Sequence, residues 1–169
     1  MTNILGLNWQ SLCGRYTVTL SYRCFKKMLD ITQDNYPNEV GTSLIGYYSE
    51  DGFDAYIEDT TPLSSDSVGS AFSFIRGIKG LKSFYKQLIK KYKGRMYYIG
   101  DWHTHPNSSS TPSKTDDINQ SAIASDKKVN CSENILVIIG GNLSKSPEIG
   151  IYVYSRKKGR ISLFPQVEE

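Results

Sequence analysis

The sequence predicts a mixed α/β fold, of the α+β type, in which helices flank one mixed β-sheet. Short runs rich in β-branched and aromatic residues alternate with segments of helical periodicity. No repeat or linker divides the 169 residues, and a chain of this length can bury a sizeable core of its own. We therefore expect a single domain over residues 1–169, with the element order β-α-β-β-α-β-α-β-β-β.

The first half of the chain is expected to form a strand, a helix and a hairpin. Residues 15–20 are rich in β-branched and aromatic residues, and Ser21 is a suitable N-cap for a helix that runs to about Gln33. The apolar segments 39–48 and 53–59 flank a Ser-Glu-Asp-Gly turn, which predicts a β-hairpin.

The middle of the chain is expected to hold a loop, a basic helix and a strand. Residues 60–70 are polar and typical of a loop. After them, apolar residues recur at steps of three and four, which predicts an amphipathic helix with lysines on its other face. Gly94 can end this helix, and the strand 96–102 follows. The apolar helix positions are Leu81, Phe84, Tyr85, Leu88, Ile89 and Tyr92.

The last third of the chain is expected to hold one more helix and three strands. Ser113 and Asp116 have the spacing of a capping box, which predicts a helix that runs to about Ser125. Its expected core-facing residues are Ile118, Ala122 and Ile123. A continuous apolar run predicts a central buried strand, and a closing hairpin follows it. These strands are 134–140, 149–154 and 160–164.

Charge is unevenly distributed along the chain, although the net charge is only +3. Residues 28–75 contain no Lys or Arg, whereas residues 67–100 contain eight basic residues and no acidic one. The basic helix 81–93 can be a surface that attracts an acidic partner or simply a solvated helix face, and the sequence favours neither. No nucleic-acid-binding motif is present, so we do not expect nucleic acid as the main partner.

The cysteines and the N-terminal residues indicate a cellular compartment. Cys13, Cys24 and Cys131 have neither metal-ligand nor redox spacing, and an odd count fits a reduced protein. We find no signal-peptide pattern and no apolar run long enough to span a membrane. The expectation is a cytoplasmic protein that does not enter membranes.

The only two histidines of the chain, His103 and His105, lie one residue apart. On an extended strand both face the same side, so a carboxylate from the next element would complete three ligands of a catalytic zinc site. Alone, this pair is more often two solvent-facing side chains. Ser113 and Asp116 change that balance, because Asp116 can be the third ligand while both residues also cap the following helix.

Three further residues are candidates for roles around such a site. Glu39 begins an apolar strand next to Gly41 and can act as general base, although an exposed turn glutamate is the simpler alternative. Ser113 can donate a hydrogen bond to a developing oxyanion. Asp101, two residues before His103, can orient one imidazole from outside the ligand set.

Together these residues carry a family resemblance. Glu39, then His103-Thr104-His105, seven residues, Ser113, two residues and Asp116 resemble the JAMM (MPN+) motif of the JAB/MPN metalloprotease superfamily. The resemblance covers about residues 15–155 and implies a mixed sheet flanked by helices in a cytidine-deaminase-like layered arrangement. It implies Zn²⁺ held by His103, His105 and Asp116, with Glu39 as general acid/base and Ser113 stabilising the oxyanion.

The segments around Glu39 and around the histidines are most similar to the bacterial JAB branch, and within it to the JAB deconjugating peptidases of CBASS antiphage operons. One departure is Thr42, where many relatives have a second glycine after Gly41. The resemblance implies an isopeptidase or peptidase that cleaves after the C-terminal glycine of a ubiquitin-like tail. That tail would belong to a cGAS-like nucleotidyltransferase joined to targets by an E1–E2-like protein, and cleavage could prime or reverse the conjugation.

Three alternatives stay open at this point. One is a JAB peptidase that processes another ubiquitin-like or sulfur-carrier protein tail. A second is a non-catalytic MPN scaffold, which is disfavoured because all five motif residues are present. The third is a DNA-associated relative, supported only by the basic helix.

Overall fold

In the computed structural model, which describes residues 6–167, the chain forms three helices and ten strands within that range. The helices are α1 (Tyr22–Asn35), α2 (Leu81–Tyr92) and α3 (Lys114–Ser125). The strands are β1 (Gly6–Ser11), β2 (Thr17–Ser21), β3 (Gly41–Tyr48), β4 (Asp54–Thr60), β5 (Val68–Ser70), β6 (Ser73–Ile75), β7 (Tyr97–Thr104), β8 (Glu133–Asn142), β9 (Ser146–Ser155) and β10 (Gly159–Pro165).

Eight of these strands form one mixed sheet that closes on itself in the order β1-β10-β9-β8-β7-β3-β4-β2. The pairs β7–β8 and β2–β4 are parallel, and the other neighbours are antiparallel. Strands β5 and β6 form a separate two-stranded hairpin. The helices flank the closed sheet, which confirms the predicted fold class.

Strand β8 lies at the centre of the packing, as its continuous apolar run predicts. Ile135, Val137 and Ile139 are fully buried in the main core, whereas Leu136 and Ile138 pack with Ala124 and Tyr154 under α3. Alternate residues of a strand face opposite sides, so one apolar run fills both layers. Each such side chain contributes about 1.5–3 kcal/mol of hydrophobic stabilisation.

The predicted helix boundaries are confirmed by their caps. Ser21 precedes α1 and its Oγ accepts a hydrogen bond from Cys24 N at 3.2 Å. Helix α2 packs its apolar side on Ile45 and Met96, and its C-terminus passes through left-handed backbone at Lys93 and Gly94. None of the helices in residues 6–167 combines the length and apolarity needed to cross a membrane.

Two structural elements are missing from the sequence-based prediction. Strand β1 closes the sheet by pairing with both β2 and β10, and its Trp9 is buried. Its polar residues interrupt the apolar pattern by which strands are recognised. The β5–β6 hairpin lies partly within the segment 60–70 that was predicted to be a loop. Its strands are short and largely exposed, so hydrophobic patterning carries little signal there.

The predicted core-facing side of α3 is wrong. Ile118 is 60% exposed and Ala122 is also exposed, and Ile123 is only partly buried. Gln120 and Ala124 face the sheet instead. Gln120 is buried because its side-chain amide hydrogen-bonds Asn134 and Asp101 beneath the helix, an interaction that an apolar pattern cannot reveal.

The three free thiols differ in environment, which predicts selective reactivity. Hydrogen bonding by Ser11 lowers the pKa of the exposed Cys13, whereas burial raises the pKa of Cys24 to about 12 and that of Cys131 to about 11. Because the thiolate is the nucleophile, iodoacetamide at pH 8 is expected to alkylate Cys13 of the folded protein first. Peptide mass spectrometry over time measures the order. Similar rates for all three cysteines before unfolding would contradict these assignments, and urea-unfolded protein is the control.

Candidate active site

Strand β7 and the start of α3 bring three potential metal ligands together. His103 lies on β7, His105 follows its end, and Asp116 is in the first turn of α3. The Nε2 atoms of the two imidazoles are 3.0 Å apart. Asp116 Oδ1 is 3.3 Å from His103 Nε2, and Asp116 Oδ2 is 3.4 Å from His105 Nε2.

These separations fit a tetrahedral zinc site. Ligand atoms about 2.0–2.1 Å from a zinc ion at tetrahedral angles lie about 3.3 Å from one another. The two imidazoles and the carboxylate therefore converge at separations suited to holding one such ion, with a different carboxylate oxygen facing each histidine. Among the His, Cys, Asp and Glu side chains of residues 6–167, those of His103, His105 and Asp116 lie close enough together to share one metal ion.

The ring orientation of His105 suits metal binding through Nε2. Its Nδ1 lies 3.0 Å from the carbonyl oxygen of Ser109. Since a carbonyl only accepts, Nδ1 carries the proton and Nε2 keeps its lone pair towards Asp116 and His103. The loop after β7 is thus part of the site, although none of its side chains was predicted to contribute.

Asp116 is fixed by the cap of α3. Ser113 N and Ser113 Oγ both donate to Asp116 Oδ2 at 2.7 Å, and Asp116 N donates to Ser113 Oγ at 3.1 Å. Burial opposes the charged carboxylate, but hydrogen bonds from the protonated forms of His103 and His105 and from Ser113 outweigh it and hold the pKa of Asp116 well below its usual range when no metal is bound. The hydrogen bond to Asp116 also raises the pKa of His105. Asp116 therefore both caps α3 and lies beside the two histidines.

The neighbouring Asp117 is not part of the cluster. Its Oδ1 accepts from Tyr154 Oη at 2.7 Å, and its carboxylate pairs with Arg160 at 2.9 Å. The sequence offset that favoured Asp116 over Asp117 agrees with this geometry.

Pairing between β3 and β7 places Glu39 beside the histidines. Gly41 pairs with His103, and one step further Thr104 N donates to Val40 O at 2.9 Å while Val40 N donates to Thr104 Oγ1 at 3.0 Å. Glu39 comes next along the chain and lines the same pocket as both imidazoles. Burial raises the pKa of Glu39, the two imidazoles lower it, and Asp116 adds a further increase.

Gly41 and Thr42 show why the strand has small residues here. A Cβ at Gly41 would overlap the carbonyl oxygen of Trp102, so only glycine allows this approach of β3 to β7. Thr42, the departure from the Gly-Gly pattern, is accommodated because its hydroxyl hydrogen-bonds Thr60 and accepts from Trp102 Nε1 at 2.7 Å. It does not block the site.

The predicted role of Asp101 is wrong. Asp101 is 7% exposed and contacts neither histidine. Its carboxylate is instead in contact with Arg76, Ser43, Tyr98 and Gln120. Arg76 was not predicted from the sequence as the partner of Asp101. The one feature that could have drawn attention to Arg76 is that it is the first basic residue after residues 28–75, which contain no Lys or Arg.

The cluster opens into a pocket of about 700 Å³. The pocket runs between the β5–β6 hairpin and α3, with Glu39 and the histidines on its floor. Both walls carry polar and apolar side chains, among them Phe74, Arg76, Asn119 and Ile123. An extended polypeptide can lie in such a groove.

The fold and the site define a family. The model described as prokaryotic homologs of the JAB domain matches residues 21–153, and the chain belongs to this family. This confirms the resemblance seen in the motif.

Two individual proteins extend the comparison. The chain is 33% identical over 161 residues to the CD-NTase/cGAS isopeptidase of Enterobacter hormaechei subsp. hoffmannii (strain UCI 50), and the match covers 95% of this chain and 88% of that protein. A solution structure of a protein from Desulfitobacterium hafniense has the same fold, with a TM-score of 0.57, 20% identity, and coverage of 88% and 89%. Together, the family and the isopeptidase relative make the chain a hydrolase.

The hydrogen-bonded group of Thr42, Thr60 and Trp102 predicts a stability effect. Thr42→Val removes one buried hydroxyl acceptor of the Trp102 indole and is expected to lower the free energy of unfolding by about 1 kcal/mol. Thr19→Val is the matched strand control, because its partner Asn8 stays partly accessible to water. Urea unfolding measures both variants. Equal stability losses would show that the indole contact contributes nothing specific.

Proposed function

We propose that this chain is a zinc-dependent isopeptidase that cleaves after the C-terminal glycine of a cGAS-like CD-NTase attached to another protein. The convergence of His103 Nε2, His105 Nε2 and the Asp116 carboxylate beside Glu39 carries this proposal. The isopeptidase relative supports the choice of substrate. The proposed setting is cytoplasmic antiphage defence of the CBASS type, in which an E1–E2-like partner makes the conjugate.

His103, His105 and Asp116 would hold the zinc ion. A zinc ion held by two imidazoles and one carboxylate would supply Lewis-acid chemistry and would lower the pKa of a bound water molecule towards 7. The protein's own share is to hold these ligands rigidly. The Ser109 carbonyl fixes the tautomer of His105, and the α3 cap fixes the carboxylate of Asp116.

Glu39 is the proposed general base and acid. Its carboxylate takes the proton of the attacking water and returns it to the lysine amine as that group leaves. Partial burial suits this task, because it raises the pKa of Glu39 towards the range in which a carboxyl can also donate. Glu39 is not proposed as a metal ligand.

Ser113 is proposed to stabilise the oxyanion of the tetrahedral intermediate. Its hydroxyl hydrogen is directed to Asp116 Oδ2 in the present arrangement. Donation to substrate therefore requires rotation about the Cβ–Oγ bond, which a hydroxyl does readily. The backbone amide of Ser113 keeps Asp116 in place meanwhile.

The groove between the β5–β6 hairpin and α3 is the proposed path of the substrate tail. A terminal glycine has no side chain to collide with the imidazoles or with Trp102, which also line the floor. Other ubiquitin-like or sulfur-carrier tails that end in glycine would meet the same floor, so selection among them would depend on the walls of the groove.

Metal content tests the ligand assignment. The purified wild-type chain is expected to contain about one zinc ion, and Asp116→Ala is expected to lose it because two imidazoles alone form an incomplete site. Asp117→Ala is the matched control, since its carboxylate pairs with Arg160 and Tyr154 instead. Inductively coupled plasma mass spectrometry gives the zinc-to-protein ratio. Zinc retained by Asp116→Ala but lost by Asp117→Ala would reverse the assignment.

Activity tests the role of Glu39. With a CD-NTase linked through its terminal glycine to a lysine side chain as substrate, Glu39→Gln is expected to lower kcat by about 10²–10⁴-fold and to retain zinc. Glu50→Gln, on the exposed turn before β4, is the control and should stay fully active. Mass spectrometry of the products locates the cleaved bond. Cleavage of a sulfur-carrier conjugate in preference to the CD-NTase conjugate would favour the alternative tail, and an inactive wild-type chain would favour the scaffold.

A further inference from the structure

The β5–β6 hairpin is a small unit outside the closed sheet. Its two strands pair with each other, and its tip residue Phe72 is 92% exposed. Hydrogen bonds join the residues before β5 to the residues after β6. Gly77 N donates to Ser67 Oγ at 3.0 Å, and the amides of Ile78 and Lys79 donate to the Asp66 carboxylate. The hairpin therefore keeps its shape by local bonds, while its position depends on a few attachments to the sheet.

One attachment runs to Glu39. The amide of Glu39 donates to the carbonyl oxygen of Ser70 at 2.7 Å. Gly69 allows this approach, because a Cβ there would overlap the Glu39 carbonyl oxygen. The last residue of β5 thus holds the backbone of Glu39 from the side of the pocket.

The other polar attachment is made by Arg76, the residue directly after β6. Its guanidinium forms an ion pair with Asp101 on β7 and donates to Ser43 Oγ on β3 at 2.8 Å. Asp101 also accepts from Tyr98 Oη at 2.9 Å and from Gln120 Nε2 at 3.4 Å. This carboxylate is thus held by neighbours from two strands and from α3, so it is a fixed anchor.

The two attachments are close to each other through the hairpin. Ser70 pairs with Ser73, and Val68 pairs with Ile75, the residue next to Arg76. A shift of Arg76 would therefore move β6, and β5 would follow through the ladder. Partly buried Phe74 adds an apolar contact with the main core, but it carries no directional bond to the sheet.

We propose that Arg76 is a positioning residue, whose ion pair with Asp101 fastens the β5–β6 hairpin so that Ser70 holds Glu39 at the edge of the metal site. The catalytic consequence rests on the proposed function, because it assumes that Glu39 is the base. The mechanical link between Arg76 and Glu39 does not.

Amide hydrogen exchange tests the mechanical link without any substrate. Arg76→Met is expected to speed exchange of the Glu39 amide about tenfold, because the Glu39–Ser70 bond opens more often when the hairpin is released. Arg95→Met is the matched control, since exposed Arg95 hydrogen-bonds the carbonyl of Tyr92 at the C-terminal end of α2. NMR exchange rates of assigned amides give the result. An unchanged Glu39 rate in a folded Arg76→Met protein would overturn the proposal.

Removal of Arg76 alone leaves Asp101 buried and unpaired, so a second variant guards against unfolding. The double variant Arg76→Met/Asp101→Asn removes both charges and should show the same faster exchange at Glu39. Arg76→Lys keeps the positive charge but replaces the planar guanidinium with a single ammonium group, so it is expected to give an intermediate rate. Faster exchange spread evenly over β7 and α3 would indicate general destabilisation and would overturn the specific link.

Kinetics test the catalytic consequence. Arg76→Met is expected to lower kcat about tenfold with zinc content unchanged, because the base is misplaced while the ligands stay in place, and to raise KM by a smaller factor, because the hairpin also forms one wall of the groove. A raised KM at unchanged kcat would make Arg76 a substrate-binding residue and overturn the positioning role. A wild-type chain without peptidase activity would sink the proposed function, and the exchange data would still decide the mechanical link.

Discussion

The close pairing of β3 with β7 is the constraint on which the site depends. Strand β7 carries His103 and leads into His105, and Glu39 lies two residues before the start of β3, so the register of the two strands decides which groups meet. Gly41 makes the approach feasible by leaving the Trp102 carbonyl uncovered. A side chain there would separate the strands at the point where the proposed base must lie beside the proposed ligands.

Around this pair of strands, each remaining part of the site has a separate support. Helix α3 supplies Asp116 through its cap, the loop after β7 orients His105, and the hairpin contacts the backbone of Glu39. These supports come from segments far apart in the chain. Strand β8 joins them, because it lies parallel to β7 and its other face packs under α3.

Much of the site could be predicted from the sequence because its spacing is local. His103 and His105 are two residues apart on a strand, and Ser113 and Asp116 share one helical turn, so fixed backbone geometry brings each pair together. Glu39 was a candidate from its position at the start of an apolar strand next to Gly41, but only the family resemblance joined it to residues more than sixty positions away, since nothing local connects them.

What could not be predicted depends on polar contacts between distant segments. The partner of Asp101 is Arg76 on the hairpin, not a histidine, and the buried residue of α3 is Gln120, not an isoleucine. Hydrophobic periodicity describes apolar faces and is silent about a buried amide or ion pair. The hairpin itself was missed because short exposed strands have no apolar face to detect.

The capping box of α3 has a consequence beyond geometry. The Asp116 carboxylate accepts the hydrogen bond of the Ser113 backbone N–H at the start of α3. The same carboxylate faces both imidazoles. Winding of that turn and binding of the proposed cation would both use the Asp116 carboxylate, whose Oδ2 also accepts from Ser113, so their free energies would be linked. For the proposed metal site, conditions that fray the first turn would lower the affinity for the ion, and the ion would in turn oppose fraying. One end of one helix would then connect the stability of the protein to the supply of metal around it.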